Sequence, residues 1–446
     1  MKKTMITKKM LEDFGKEFKN NPQRELLANA VINNGIANVA MNYKSKIKMQ
    51  YSFSEELKTG EITHQKSSGR CWIFAGLNVL RQRVAKRFKI KDCELSQNHT
   101  MFWDKLEKAN YFLENIIETK DEGLDSRLVM WLLSAPLQDG GQWDMFANLV
   151  EKYGVVPKSI MPETFHSSNT YIMNKLLTIK LREFAIQLRE LPPKTTAPKI
   201  KALKNKQINE FYKMLVHFLG EPPKKFNFEY SDDNKNYHIE KDLTPQKFFE
   251  NYVNINLDDY VSLINAPTAD KPFNKTYTVK YLGNVIGGKK VLYLNIDAET
   301  MKELAARQIK DKEPVWFGCD VGQMMDKDSG IMDMDLYNFF QVLDTTITMT
   351  KAQRLDYGES RLTHAMVFTG VNLVDGKTNR WKVENSWSKK SGNEGFYIMS
   401  SEWFDEYNYQ IVINKRYLTA ELRNALESEV TELEPWDPMG SLALTK

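Results

Sequence analysis

Cysteine is scarce in this chain: Cys71, Cys93 and Cys319 are the only three among 446 residues. So thin and odd a set excludes a disulfide scaffold and fits reduced thiols in a cytoplasmic compartment. Long apolar runs are also missing. No stretch reaches the ~18 residues of a membrane span, so no membrane partner is expected. The opening MKKTMITKKMLEDFGKEF is basic but lacks an apolar signal core and a small-residue cleavage site, which argues against export. Neither sign of charge dominates. Lysine and arginine number 62 against 58 acids, a net charge of +4. That is too little to make nucleic acid the main partner. Repeats and low-complexity tracts are absent. With 42% hydrophobic and 11% aromatic residues, the chain can bury a large core.

What is present reads as helical first and β-rich last, an α+β order. Two helices open the chain, interrupted near Pro22, with apolar faces of Leu11, Phe14 and Phe18, then Leu26, Leu27 and Val31. Residues 71–88 carry a stripe of Ile73, Leu77, Leu80, Val84 and Phe88. Further helices are predicted over 94–118, 124–135, 171–191 and 198–219. The third has Leu176, Leu177, Leu181, Phe184, Ala185 and Leu188 on one face and ends at Pro192-Pro193. Five lysines between Lys194 and Lys206 read as a solvated face. Thr244-Pro245 reads as an N-cap followed by proline at the first helical position. Beyond residue 275 the pattern turns to strands. TYTVKYLG and KKVLYLNID suggest a hairpin across Asn284–Gly288. VWFGCDV, HAMVFTGVNLV, RWKVENSW and GFYIMS follow.

The segment QKSSGRCW is the chemically informative one. Cys71 stands where a glycine-containing loop becomes a helix, and the positive end of the helix dipole favours a thiolate there. Gln65 offers a side-chain amide, and Cys71 its backbone N–H, to a developing oxyanion. A thiolate needs an imidazole partner. Of six histidines, His364 opens the apolar strand HAMVFTGV after a polar loop. Asn385 ends a later strand and can accept from that imidazole, fixing its tautomer. Trp387 can shield the bond from water. This chemistry calls for no metal and no cofactor.

Gly69-x-Cys71-Trp72, Gln65, His364-Ala365 and Asn385-Ser386-Trp387 together resemble the papain-like cysteine peptidases. Asp139-Gly140-Gly141 looks like the paired-glycine loop that binds substrate backbone there. Two departures stand out. Ser68 takes the place of a disulfide cysteine, and Cys71 and His364 stand 293 residues apart, far beyond the ~130–150 of papain itself. Both point to the aminopeptidase C and bleomycin hydrolase branch. SSGRCWIFAGLNVLR, ELSQNHTMFWDKLEKAN, EPVWFGCDVG, LTHAMVFTGV, KVENSWS and EPWDPMGSLA extend the likeness nearly end to end.

That resemblance implies a papain-like fold with a large helical insertion and a homohexamer whose sites face an inner cavity. It divides the chain into an N-terminal arm (1–60), a helical part with Cys71 (61–170), an insertion (171–270), a β-rich part with His364 and Asn385 (271–425) and a C-terminal arm (426–446). The arm, through Ser441, Leu442, Ala443 and the end at Lys446, lies in its own cleft and pairs a carboxylate with a substrate's amino group. Members commonly end near Gly-x-Leu-Ala, whereas this sequence continues through Leu444-Thr445-Lys446. The expected activity is a cysteine aminopeptidase on short peptides. The alternatives are an endopeptidase of the same family, a hexamer binding nucleic acid through Lys194–Lys206, and a non-catalytic peptide binder.

Overall fold

A computed structural model describes residues 3–442. Its centre is a run of antiparallel strands: Tyr260–Ile264, Asn408–Asn414, Val315–Cys319, His364–Val374, Lys377–Glu384 and Phe396–Ser400, neighbours in that order. Beyond Tyr260–Ile264 come Tyr293–Asn295, Lys275–Val279 and Val430–Leu433, so the last strand of the chain closes that edge.

Side chains alternate across the strands, and the sheet divides two cores. Trp316, Ala365 and Val367 face the helical side, together with Trp72, Phe146, Leu177 and Phe211. Phe317, Met366 and Phe368 face the other side with Trp381 and Phe404. There Phe317 and Phe368 stack with centroids 3.8 Å apart. Each such side chain contributes roughly 1.5–3 kcal/mol by leaving water.

The helices Cys71–Phe88, Gln97–Glu118, Arg127–Ser134, Tyr171–Arg189 and Ala197–Leu219 form where the apolar spacing puts them. Thr244 caps the helix at Pro245, accepting from the Lys247 amide at 3.2 Å. Four details differ from the sequence reading. In Tyr171–Arg189 the buried stripe begins at Met173, while Leu176 is 44% exposed. The helix turns about 100° per residue, so Met173, Leu177 and Leu181 share a line that Leu176 misses. A hairpin, Phe226–Ser231 with Tyr237–Leu243, interrupts the helices of 171–270, and that stretch ends in a sheet strand. The pairing of Lys275–Val279 with Tyr293–Asn295 exists, but the link between them is long and folds over the Gln97 helix. There Asn284 donates to Asp104 and to the Met145 carbonyl. Finally, Leu11, Phe14 and Leu26 on Lys8–Lys19 and Pro22–Asn34 are 59%, 53% and 70% exposed. Within one chain these apolar faces stay outside the core.

Candidate active site

The loop ahead of Cys71 is braced from several sides. Ser68 Oγ donates to the Gln65 carbonyl at 2.6 Å and accepts from Arg70 Nε at 2.9 Å. Where the resemblance puts a disulfide, a hydroxyl ties the loop instead. Buried Arg70 forms a two-pronged pair with Glu163 at 3.0 and 2.7 Å, a geometry only guanidinium supplies. The helix then starts at Cys71, with the Ile73 and Phe74 amides donating to the Arg70 carbonyl. Cys71 is fully buried, in contact with the Ala365 amide. This brings it to the residue after His364.

His364 begins its strand, and Asn385 directly follows the neighbouring strand, Lys377–Glu384. His364 Nε2 and Asn385 Oδ1 lie 2.9 Å apart. Nδ1 is buried and has no hydrogen-bond partner among the described residues. The Trp387 ring covers the imidazole at 4.8 Å between centroids. Gln65 is tied to the same turn: its backbone N donates to the Ser386 carbonyl at 2.9 Å, and its Oε1 accepts from Ser386 Oγ at 2.7 Å. Its Nε2 donates to the Ser68 carbonyl at 2.6 Å. Burial pushes the Cys71 thiol up to about 12. It pushes the His364 imidazole down to about 4 against the lift from Asn385. Each group alone is therefore held neutral. A proton passed from sulfur to nitrogen within the pair leaves the net charge unchanged, and the attraction between the two new charges offsets part of that penalty.

The chain's last described residues reach the same place. After Val430–Leu433 the arm is pinned by Asp437 on buried Lys271 at 2.8 Å and by Trp436 under Arg127 at 3.7 Å. Tyr293 OH donates to the Met439 carbonyl. Ser441 then accepts from Gln142 Nε2 at 2.7 Å and donates to the Leu362 carbonyl at 3.1 Å, two residues before His364. Leu442 packs on the helical-side core. Ala443 and Lys446 lie outside the described residues.

A family model described as the Peptidase C1-like family matches residues 5–440. The chain belongs to the Peptidase C1-like family. It is a cysteine-type peptidase with a papain-like fold. It is 51% identical over 443 residues to Aminopeptidase C of Listeria monocytogenes serovar 1/2a, covering 99% of this chain and 100% of that protein. It is 47% identical to Aminopeptidase C of Lactobacillus delbrueckii subsp. lactis, covering 97% of each. The crystal structure of PepW from Lactobacillus rhamnosis HN001 matches with a TM-score of 0.97 at 54% identity, covering 98% of this chain and 99% of that one.

In this Peptidase C1-like chain, motif reasoning missed the charged layer beneath the site. Asp139 accepts from Lys105 Nζ at 2.6 Å, Asn174 Nδ2 at 2.7 Å, Thr170 Oγ1 at 2.5 Å and the Gly69 amide at 3.0 Å. Burial alone would raise its carboxyl. Lys105 and these donors hold it well below the ordinary carboxylate range. Its carbonyl accepts from the Trp72 indole at 2.7 Å. That indole fills the space where a Cβ on Gly141 would come within 2.6 Å of it. Lys108 Nζ donates to Gly140 at 2.6 Å and pairs with Asp104 at 2.7 Å. Arg81 pairs with Glu384 at 2.7 Å, both buried, tying the Cys71 helix to the strand before Asn385. The only sequence signal is a set of charges spaced along otherwise apolar helices. Among the described residues no His, Cys, Asp and Glu cluster could hold a metal ion, and no helix is long and apolar enough to cross a membrane.

Proposed function

We propose that this chain is a cytoplasmic cysteine aminopeptidase that cleaves near the amino end of short peptides through Cys71, His364 and Asn385. The His364–Asn385 bond carries the reading: it fixes Nε2 and leaves Nδ1 to serve the thiol. Cys71 gives its proton to Nδ1 and its sulfur attacks the scissile carbonyl. The Cys71 backbone N–H and the Gln65 amide meet the oxyanion. The imidazolium protonates the leaving amine, which departs from a thioester. His364 then takes a proton from water, and the hydroxide displaces sulfur to free the acid. Asn385 keeps the ring oriented, Trp387 shields their bond, and Gly140 and Gly141 take the substrate backbone.

The exopeptidase mode is supported by the arm, whose Ser441 bonds to Gln142 and to the Leu362 carbonyl near His364, and by the names of the relatives. A carboxylate at the arm's end would pair with a substrate ammonium. The test is product analysis on one defined peptide with a free or an acetylated amino end. Cleavage of the free peptide alone is expected. Equal internal cleavage of both would assign an endopeptidase instead. Cys71, Cys93 and Cys319 are all buried and none is joined in a disulfide, which supports the reducing compartment.

We also propose self-association into a hexamer, supported by the apolar arm faces that one chain leaves exposed. Leu11→Asp with Phe14→Asp is expected to lower the assembly to smaller species in light scattering while the melting transition of the chain persists. An unchanged mass would count against this role for the arm.

A further inference from the structure

We propose that the open half of the cleft carries an anion subsite, formed by Lys66, Lys327 and His64 around the Trp387 indole, that takes a carboxylate on the leaving-group side of the cleaved bond. This rests on the peptidase reading for its direction. The arm occupies the side of Gln142 and Leu362, so the departing half of a substrate has only the Trp387 side to lie on.

Lys327 places positive charge there, and Lys66 and His64 adjoin it. Lys327 Nζ lies 5.4 Å from the Trp387 ring centre, and that ring lies 4.8 Å from the His364 ring. The two distances together put the ammonium within about 10 Å of the imidazole, the reach of about three extended residues. Lys66 directly follows Gln65 and sits at φ 56°, in the left-handed region that favours glycine. Lys66 is exposed, next to the buried Gln65. His64 pairs across a backbone bridge with Trp387, and its Nδ1 accepts from the Lys66 amide at 3.2 Å. The ring also bonds to the Ser386 backbone, which fixes it beside Trp387.

Of the acids nearby, Glu61 and Asp326 have partners of their own. Glu61 pairs with Lys389 at 3.0 Å, and Asp326 accepts from the Ser329 amide and hydroxyl. Asp326 and Asp328 bear on Tyr337 and on Tyr397, whose ring lies 5.9 Å from that of Trp387, so the two ammoniums also act against these acids. On His64 the charges that bear are Lys66 and Lys327, which add to burial in lowering its proton affinity. Two ammoniums without ion-pair partners among the described residues, on an aromatic wall beside the dyad, suit one carboxylate. It can be the terminal carboxylate of a short peptide or an acidic side chain.

The test uses the full-length protein, Lys66→Gly and Lys327→Met singly, and the two combined. Glycine at 66 relieves the backbone strain, so misfolding does not mask the result. Tripeptides ending in a free acid or an amide are compared by kcat/KM, and amidated peptides with Asp or Asn at the last position form a second arm. The wild type is expected to prefer the charged member of at least one pair by about five- to tenfold, the scale of two wet charge contacts, and the combined variant to lose that preference. Preference in the first arm assigns the chain terminus; preference in the second assigns the side chain. A second readout does not need hydrolysis: the ratio of Cys71 alkylation rates by iodoacetate and by iodoacetamide. It is expected to fall severalfold in the combined variant and with added salt. If no peptide is cleaved but this ratio falls, the subsite stands and the peptidase reading fails. No preference in either arm, or a ratio unchanged by the substitutions, overturns the subsite.

Discussion

Cys71→Ala is expected to remove peptide hydrolysis, by about four orders of magnitude or more, while leaving the fold in place. The expectation follows from where the sulfur sits. Cys71 is buried at the start of its helix, and the loop ahead of it is held by Ser68, Arg70 and Asp139, none of which bonds through the thiol. Deleting one sulfur costs packing of about 1 kcal/mol and leaves those braces intact. Unchanged circular dichroism with lost turnover is the expected pair of results, and retained turnover would falsify the nucleophile assignment. The pH dependence has a definite sign. The productive dyad holds one proton between sulfur and nitrogen. As pH falls through about 4, His364 takes a second proton and can no longer accept one from Cys71. The acid limb of kcat/KM should therefore lie below the ~6.5 of an ordinary histidine. Asn385→Ala, which removes a contact that lifts the imidazole, should move it lower still.

Lys105→Met is expected to destabilise the protein by roughly 3–5 kcal/mol, because it strands a buried carboxylate. Asp139 keeps its bonds to Thr170, Asn174 and Gly69 but loses its only direct ammonium, 2.6 Å away. The damage reaches the chemistry as well. Asp139 holds the Gly69 amide with its side chain and the Trp72 indole with its carbonyl, so the chain before and after Cys71 is tied to this one residue. A lower urea midpoint and a reduced kcat should appear together. Adding Asp139→Asn should recover part of the stability, since the isolated charge is then gone. If Lys105→Met alone left the midpoint unchanged, the ion pair would have no structural weight.

The contrast between these two residues marks what was legible in the sequence. Cys71 could be found because a glycine loop, a tryptophan and a helical stripe follow one another locally, and because Gln65, His364 and Asn385 complete a known chemistry in order. Lys105 and Asp139 could not. A lysine inside a helix reads as solvent-facing, and only the arrival of the Asp139–Gly141 loop from another part of the chain buries it. Arg81 and Glu384 escaped for the same reason, with 303 positions between them. The hairpin at Phe226 and Tyr237 had a signal in the alternating FNFEYS, but its partner YHIEKDL alternates poorly and the pair stands between long helices. Helical spacing locates Lys8–Lys19 and Pro22–Asn34, but periodicity says nothing about which surface receives an apolar face.

The 293 positions between Cys71 and His364 bear on synthesis as well as on shape. A growing chain makes its thiol early and its imidazole late. Loop-closure entropy delays their meeting until the Tyr171 and Ala197 helices and the strands between have folded. A nascent peptidase is therefore inert beside its own ribosome and its unfolded neighbours. On the proposed dyad, proteolytic competence waits for the late-made strand that carries His364.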